Sequence, residues 1–212
     1  MKTIDLTNKR GSAKDLALTI KEKKMLYEVL TDEKDRIILL LGCYAGLRAG
    51  EMSQLRYDWF KWTTFKFINE ELKVLSIVIP GKDRDARNRK KEFKPKKVWN
   101  TALYIFDNQI ASSEIYFWYK NNKDGLMISR QAIHKRIVRH FEPLLDRNMT
   151  VHALRATFTD YITQQFRFPN GEKPDTMFVK TQLRHKDLRT TMAAYKSETI
   201  ANQEAYLQGV LK

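Results

Sequence analysis

Residues 45–51 read Ala45-Gly46-Leu47-Arg48-Ala49-Gly50-Glu51, and they come directly after an apolar helical pattern over residues 34–44. Because glycine has no Cβ atom, the pattern predicts that this helix ends near Gly46, and a short helix is predicted over residues 49–55. Glu51 lies three residues after Arg48, so the two side chains can face the same side of that turn. A guanidinium binds two phosphate oxygens at once, but the spacing by itself favours an ordinary surface Arg–Glu pair.

The segment before this stretch predicts another helix. Thr19 and Glu22 match a capping box, in which each side chain accepts a hydrogen bond from the free backbone N–H of the other residue. Apolar residues then follow at helical spacing, at Met25, Leu26, Val29 and Leu30. Residues 1–18 are polar and mixed, and they are predicted to form a tail or linker, which leaves residues 19–212 as one domain.

The middle of the chain changes to a pattern typical of β-strands. Two segments rich in β-branched and aromatic residues, 63–68 and 73–79, are separated by turn residues, and 93–99 is predicted to return as a third strand. Helices are predicted at 101–109, 114–120, 130–141, 152–165, 176–184, 188–196 and 200–211, with Ser129 and Thr150 as N-caps. The predicted fold class is α+β, mostly helical with a small three-stranded antiparallel sheet on one edge.

Positive charge is the strongest signal in the composition. The 212 residues include 39 Lys and Arg against 25 Asp and Glu, which gives a formal net charge of +14 at pH 7. A surplus of this size attracts polyanions, so nucleic acid is the first partner to consider. A solvated, highly charged surface is the alternative, because compositions of this kind are common.

Other features bound the cellular setting. No run of eighteen apolar residues is present, and the first ten residues lack the apolar core of a signal peptide. The single cysteine, Cys43, cannot form an internal disulfide or a Cys-rich metal site, and its apolar context predicts a buried, inert thiol. These features predict an intracellular, cytoplasmic protein with no membrane partner.

Two more clusters carry possible chemistry. In Thr150-Val151-His152-Ala153-Leu154-Arg155, a helix would place His152 and Arg155 on one face, with His152 in the first turn, where free N–H groups favour an anion. The segment 183–195 holds Arg184, His185, a Thr-Thr pair and Tyr195. Taken singly, a His-x-x-Arg is usually structural, and a tyrosine near a helix end is usually a half-buried packing residue.

Together and in this order, the three clusters resemble the conserved boxes of the tyrosine recombinase (phage integrase) family. Those boxes are Ala-Gly-Leu-Arg-x-x-Glu, His-x-Leu-Arg, and Leu-Gly-His followed by Thr-Thr and a nucleophilic tyrosine. The resemblance covers about residues 19–197. It implies that residues 19–212 are a catalytic domain that cuts and rejoins DNA at specific sites through a 3′-phosphotyrosine intermediate, without a cofactor or a metal. It also implies double-stranded DNA and self-association on DNA, as a tetrameric synapse, as partners.

The resemblance implies a role for each matching residue. Arg48 and Arg155 would hold the non-bridging oxygens of the scissile phosphate, His185 would be a third donor, and Glu51 would orient the arginine or the histidine. Fixed cations suit this task because the transition state spreads negative charge over those oxygens.

Proton transfer and attack fall to other matching residues. His152 would assist proton movement beside the phosphate, and Lys82, in a Gly-Lys pair after the second strand, would protonate the departing 5′ oxygen. Tyr195 would attack phosphorus, and clustered positive charge would favour its phenolate. Tyr206 is the other C-terminal candidate for the nucleophile, although no Thr-Thr pair precedes it at a similar distance.

The sequence also departs from the family pattern. Arg184 stands where the family usually has glycine, and an arginine adopts the left-handed backbone conformation only at a cost. Tyr195 follows His185 by ten residues, one more than the usual spacing. An N-terminal helical domain usually precedes the family's catalytic domain, and eighteen residues are too few to form it, so we expect a catalytic fragment.

Predicted DNA contacts lie in two basic segments. Residues 80–97 contain nine Lys or Arg and three acidic residues, and the candidates there are Arg84, Arg87, Lys90 and Lys94. Arg130 and Arg136 are candidates on the helix predicted at 130–141, although an amphipathic surface helix has the same pattern. Two alternative functions stay open: a type IB topoisomerase-like enzyme and a non-catalytic DNA-binding relic.

Overall fold

The computed structural model describes residues 17–66, 70–79, 101–105 and 110–184, and these form helices packed against a small sheet. The helices are α1 (Ile20–Val29), α2 (Glu33–Ala45), α3 (Ala49–Met52), α4 (Ile110–Asn121), α5 (Arg130–His140), α6 (Glu142–Leu145), α7 (Val151–Asp160) and α8 (Thr176–Leu183). The strands are β1 (Phe60–Lys66), β2 (Glu71–Ile79) and β3 (Thr101–Ile105). A 3₁₀ turn at Tyr57–Trp59 precedes β1, and a π-helical turn at Tyr161–Gln165 follows α7.

The sheet has the order β1-β2-β3, and both neighbouring pairs are antiparallel. Ile77 in the central strand is opposite Phe60 on one side and Leu103 on the other. The fold is therefore α+β with a three-stranded antiparallel sheet, which confirms the predicted fold class.

One element prediction is wrong. Residues 101–105, predicted to begin a helix over 101–109, form strand β3. The short apolar run around Leu103 fits both structures, since periodicity does not separate a buried strand from a buried helix over so few residues. In the folded protein, these residues are a strand because they pair with β2. The strand predicted at 93–99 and the helices predicted at 188–196 and 200–211 lie outside the described residues.

Helix starts agree well with the sequence. The capping box is present: Thr19 Oγ1 accepts a hydrogen bond from Glu22 N at 3.2 Å, and Glu22 Oε2 accepts one from Thr19 N at 2.7 Å. Ser129 and Thr150 cap α5 and α7, as predicted. The short helix α3 ends at Met52 rather than near residue 55, and α6 was not predicted.

Helix α2 forms the centre of the core. Residues 37–43 of this helix are all buried, Cys43 among them, and burial raises the pKa of its thiol to about 12. The contact with α7 is close because Gly42 has no side chain: a Cβ atom there would lie 2.5 Å from Leu154 Cβ. Leu18, just before the capping box, is also buried, and its N–H donates to Thr157 Oγ1 at 2.8 Å.

Candidate active site

Two helices end at the same place in the fold. Helix α2 is followed by Gly46, with φ 57°, and α8 by Arg184, with φ 52°, so both residues have the left-handed conformation. The last carbonyl groups of a helix have no partner within the helix and carry partial negative charge. Arg155 supplies donors to both ends, since Nη1 donates to the Gly46 carbonyl and Nη2 to the Leu183 carbonyl.

Arg48 and Glu51 lie on the short helix that follows Gly46. Glu51 Oε2 accepts a hydrogen bond from Arg48 N at 2.7 Å, and Arg48 Nη1 lies 3.6 Å from Glu51 Oε1. Arg48 Nη2 donates to the Arg184 carbonyl at 3.2 Å. The Arg48 side chain is still 47% exposed, so its guanidinium is held at one edge and open to a ligand.

Arg184 is the residue at this site whose role sequence reasoning did not identify. Its Nη2 donates to Glu51 Oε2 at 2.7 Å and to the Gly46 carbonyl at 2.9 Å, and its Nη1 donates to the Gln182 carbonyl at 2.8 Å. Its side chain is 12% exposed. The departure from glycine at this position was visible in the sequence, but the partners of the side chain depend on the meeting of α2 and α8.

The site has an excess of positive charge. Among the described residues, three guanidinium groups, those of Arg48, Arg155 and Arg184, surround one carboxylate, Glu51, so the formal charge of these four groups is +2. Burial, together with the nearby Arg184 and Arg48, lowers the pKa of Arg155 to about 9. Burial also lowers the pKa of Arg184, with Arg48 adding to the effect and Glu51 opposing it. Because the cations destabilise one another, an anion bound among them is favoured.

His152 lies in the first turn of α7, two residues after the N-cap Thr150, and its side chain is exposed. Arg155 follows it by three residues on the same helix, and its side chain is buried. The structure thus places both members of the His-x-x-Arg cluster at one end of α7, with the histidine toward solvent and the arginine toward the helix ends.

The two described candidates for DNA contacts differ in surroundings. Arg130 is exposed at the start of α5, beside α3: a Cβ atom on Gly50 would lie 3.9 Å from Arg130 Cδ. Arg136 is paired within the protein, with Nε 2.6 Å from Asp35 Oδ1 and Nη2 2.7 Å from Asp32 Oδ1. Sequence reasoning missed this pairing, because Asp35 and Arg136 are 101 residues apart.

The remaining predicted site residues lie outside the described residues, and their roles stay predictions. They are Lys82, Arg84, Arg87, Lys90, Lys94, His185 and Tyr195.

In the described ranges no cluster of three or more His, Cys, Asp or Glu side chains is placed to hold a metal ion. Of the helices that the structure describes, none is long and apolar enough to cross a membrane.

Comparison with solved structures shows a shared fold with site-specific recombinases. The match to XerA recombinase covers 97% of this chain and 68% of that chain, at 19% sequence identity and a TM-score of 0.58. The match to XerH site-specific recombinase, bound to a palindromic difH substrate in a post-cleavage complex, covers 90% of this chain and 52% of that chain, at 17% identity and a TM-score of 0.56. This chain thus spans about two thirds of the first protein and about half of the second. No family model matches the chain, and no curated protein matches it significantly.

Proposed function

We propose that this chain is the catalytic part of a site-specific DNA recombinase that cleaves and rejoins strands through a 3′-phosphotyrosine intermediate. The observation that carries the proposal is the cluster of Arg48, Arg155 and Arg184 around Glu51, with its excess of positive charge at the junction of two helix ends. The shared fold with XerA and XerH recombinases supports the same class.

In the proposed reaction, Arg48 and Arg155 form a phosphate clamp on the non-bridging oxygens of one DNA phosphodiester. Arg48 offers an exposed guanidinium, and Arg155 offers one whose position is fixed by two backbone carbonyls. Donors that are already oriented stabilise the charge of the transition state without reorganising during the reaction. His185 adds a third donor.

The covalent step exchanges one phosphate ester for another. The Tyr195 oxygen attacks phosphorus and forms a bond to the 3′ phosphate, while the bond from phosphorus to the 5′ oxygen breaks and Lys82 supplies the proton to that oxygen. His152 assists the transfer of the tyrosine proton. A 5′ hydroxyl then attacks the phosphotyrosine, which reverses the exchange and reseals the strand. Because the number of ester bonds is conserved, the exchange needs no external energy source.

Duplex DNA is the proposed substrate, and a tetrameric assembly on DNA is the proposed form in which strands are exchanged. Arg130 is exposed beside α3 and is a suitable phosphate contact next to the clamp. The candidates in the basic segment, Arg84, Arg87, Lys90 and Lys94, would extend this contact along the backbone. Phosphate contacts of this kind position a protein on DNA without reading its sequence.

Covalent trapping tests the proposal even though the DNA site is not specified in advance. A library of nicked duplexes with a randomised central segment is incubated with the protein, and complexes that survive denaturation are isolated. In a nicked substrate the released fragment diffuses away, so the phosphotyrosine accumulates. We expect recovered DNA to share a sequence and the modified peptide to contain Tyr195, and Tyr195→Phe to give no adduct while still binding DNA.

The same experiment separates the alternatives. An adduct on the peptide with Tyr206 would show that the nucleophile is assigned to the wrong residue. Relaxation of supercoiled plasmids that lack the recovered sequence would instead favour a topoisomerase-like activity. Failure of the wild-type protein to form any adduct, although it binds DNA, would support a non-catalytic protein.

A further inference from the structure

The backbone of Arg184 has a sterically unfavourable conformation, and its side chain is largely buried. Its φ of 52° lies in the left-handed region, which glycine adopts without the steric cost that other residues incur. Its side chain is 12% exposed, and its guanidinium already has a carboxylate partner within the protein, Glu51 Oε2 at 2.7 Å. The hydrogen bonds of its guanidinium go to groups of the protein, which points to a role that acts through them.

Glu51 is the group for which Arg184 and Arg48 compete. The shorter ion pair belongs to Arg184, whose Nη2 lies 2.7 Å from Glu51 Oε2, whereas Arg48 Nη1 lies 3.6 Å from Oε1. Glu51 Oε2 also accepts a hydrogen bond from Arg48 N at 2.7 Å. The carboxylate is therefore held mainly by Arg184 and by the backbone, and only weakly by the Arg48 side chain.

Arg184 also contacts Arg48 directly. The Arg184 carbonyl accepts a hydrogen bond from Arg48 Nη2 at 3.2 Å. One residue thus fixes two groups that face the Arg48 guanidinium in the described part of the chain, the Glu51 carboxylate through its side chain and a carbonyl through its backbone. Almost half of the Arg48 side chain stays exposed in this arrangement.

We infer that Arg184 is a positioning residue that keeps Arg48 available to phosphate by occupying Glu51. Without the Arg184 guanidinium, the Arg48 side chain, three residues before Glu51 in the chain, closes into a bidentate pair with the carboxylate and is withdrawn from the clamp. This inference rests on the proposed function only in taking a DNA phosphodiester as the ligand of Arg48.

A double-mutant cycle tests the inference. Four proteins are compared: wild type, Arg184→Gly, Glu51→Gln and the double variant. Glycine accepts the left-handed conformation, so R184G removes the guanidinium and relieves backbone strain together. Glutamine retains an oxygen that can accept the hydrogen bond from Arg48 N, but it no longer attracts the Arg48 side chain as an anion.

The first measurement is the slope of log K against log salt for a fluorescent duplex, which counts phosphate contacts. We expect R184G to lower the magnitude of the slope by about 1, since one cation leaves the interface. Adding E51Q to R184G restores the slope, because Arg48 is released. In the wild-type background E51Q changes the slope little, because Arg184 already occupies Glu51 and Arg48 is already free. Arg184→Lys keeps a cation on Glu51, so its slope stays near that of wild type.

The second measurement is covalent trapping on DNA, where misplacement of Arg48 in R184G lowers adduct formation by about a hundredfold and E51Q partly restores it. Thermal melting of each protein shows which of them are folded at the assay temperature. If R184G unfolds, Arg184→Asn takes its place in the cycle, because asparagine also adopts the left-handed conformation and carries no charge, and the same changes in slope are expected.

The outcomes distinguish the inference from the proposed function. A slope that stays low in the double variant would mean that Arg184 contacts phosphate itself, and an E51Q effect of the same size in both backgrounds would mean that Arg184 does not act through Glu51. Either result overturns the inference. If the slopes change as expected while wild type forms no adduct, Arg184 positions Arg48 as inferred and the recombinase proposal fails.

Discussion

Arg155 is buried and hydrogen-bonded within the protein, and its remaining N–H groups are still oriented to bind a ligand. The residue is 6% exposed, and a guanidinium so deeply buried needs partners for its N–H groups. Two carbonyl groups at the ends of α2 and α8 accept two of its five N–H bonds, and both carbonyls lie at the negative ends of helix dipoles. The remaining donors keep a fixed direction, which suits a transition state whose charge appears at a fixed place.

Replacing either arginine of the clamp by alanine should slow cleavage, but only the Arg155 variant should lose folding stability. Arg48→Ala and Arg155→Ala each remove a charged contact, so we expect each to slow cleavage by about a hundredfold to a thousandfold. Arg155→Ala should also cost about 1–3 kcal/mol of folding free energy, because buried carbonyl groups lose their donors. Arg48→Ala, at an exposed site, should leave the urea midpoint nearly unchanged. A loss of cleavage below about tenfold for either variant would remove that residue from the clamp.

The contribution of Arg155 to DNA binding should depend on pH. Its pKa is lowered to about 9 in the free protein, chiefly by burial, and a bound phosphate favours the charged form and raises that pKa. The binding free energy from Arg155 is therefore complete below pH about 9 and declines as the pH rises through about 9.

The measurement compares the Kd of wild type and Arg155→Gln for the same duplex from about pH 7 to about pH 10. Other titrating groups are common to both proteins, so the ratio of the two Kd values isolates Arg155. We expect the ratio to shrink toward high pH. A constant ratio above one would show that Arg155 stays charged throughout this range, and a ratio of one at every pH would show that it does not contact the phosphate.

Among the elements of the fold, the ends of α2 and α8 determine the site. Each helix terminates in a left-handed residue, which turns the chain away and leaves the last carbonyls facing a common space. The α7 helix reaches that space because Gly42 lets it approach α2, where a Cβ atom would overlap Leu154. The site therefore lies where these three helices meet.

Gly46 should be far less tolerant of alanine than Gly171, although both have positive φ values, 57° and 80°. A Cβ atom at position 46 would meet the ring of Phe158, with Cε1 at 3.0 Å, and Phe158 is fully buried. At position 171 nothing lies within 4 Å. Gly171→Ala should cost about 1 kcal/mol from backbone strain alone, and Gly46→Ala about 3 kcal/mol, because overpacking is added. Equal costs in urea unfolding would mean that the Phe158 ring moves aside easily.

Local patterns were readable from the sequence, and long-range pairings were not. The capping box at Thr19 and the end of α2 at Gly46 were predicted because each depends on residues a few positions apart. Strand β3 was missed, since its five residues acquire their identity from pairing with β2. For the site, the sequence indicated Arg48 and Arg155, but the partners of Arg184 exist only where α2 and α8 meet.

For the molecule as a whole, formal charge is a poor guide to which cations meet DNA. The net charge of +14 includes arginines that the protein uses internally. Arg136 pairs with Asp35, whose side chain is 2% exposed, and His140 Nδ1 lies 2.5 Å from the same carboxylate. Arg130, on the same helix, is exposed beside α3. Arg130 and Arg136 are therefore suitable for comparison, because Arg130 is exposed to a polyanion and Arg136 is already paired with carboxylates.

Salt titration of DNA binding distinguishes the roles of Arg130 and Arg136. Phosphate-dominated binding falls steeply with salt, and we expect a Kd on the order of micromolar or weaker at physiological salt, with little preference among unrelated duplexes. Arg130→Gln should lower the magnitude of the log K against log salt slope by about 1, since one phosphate contact is lost. Arg136→Gln should leave the slope unchanged but cost about 3–5 kcal/mol of stability, because Asp35 stays buried with its main partner removed. Equal slopes for Arg130→Gln and wild type would place the DNA away from the start of α5. A reduced slope with normal stability for Arg136→Gln would show that Arg136 leaves its carboxylates to bind DNA, as the sequence alone suggested.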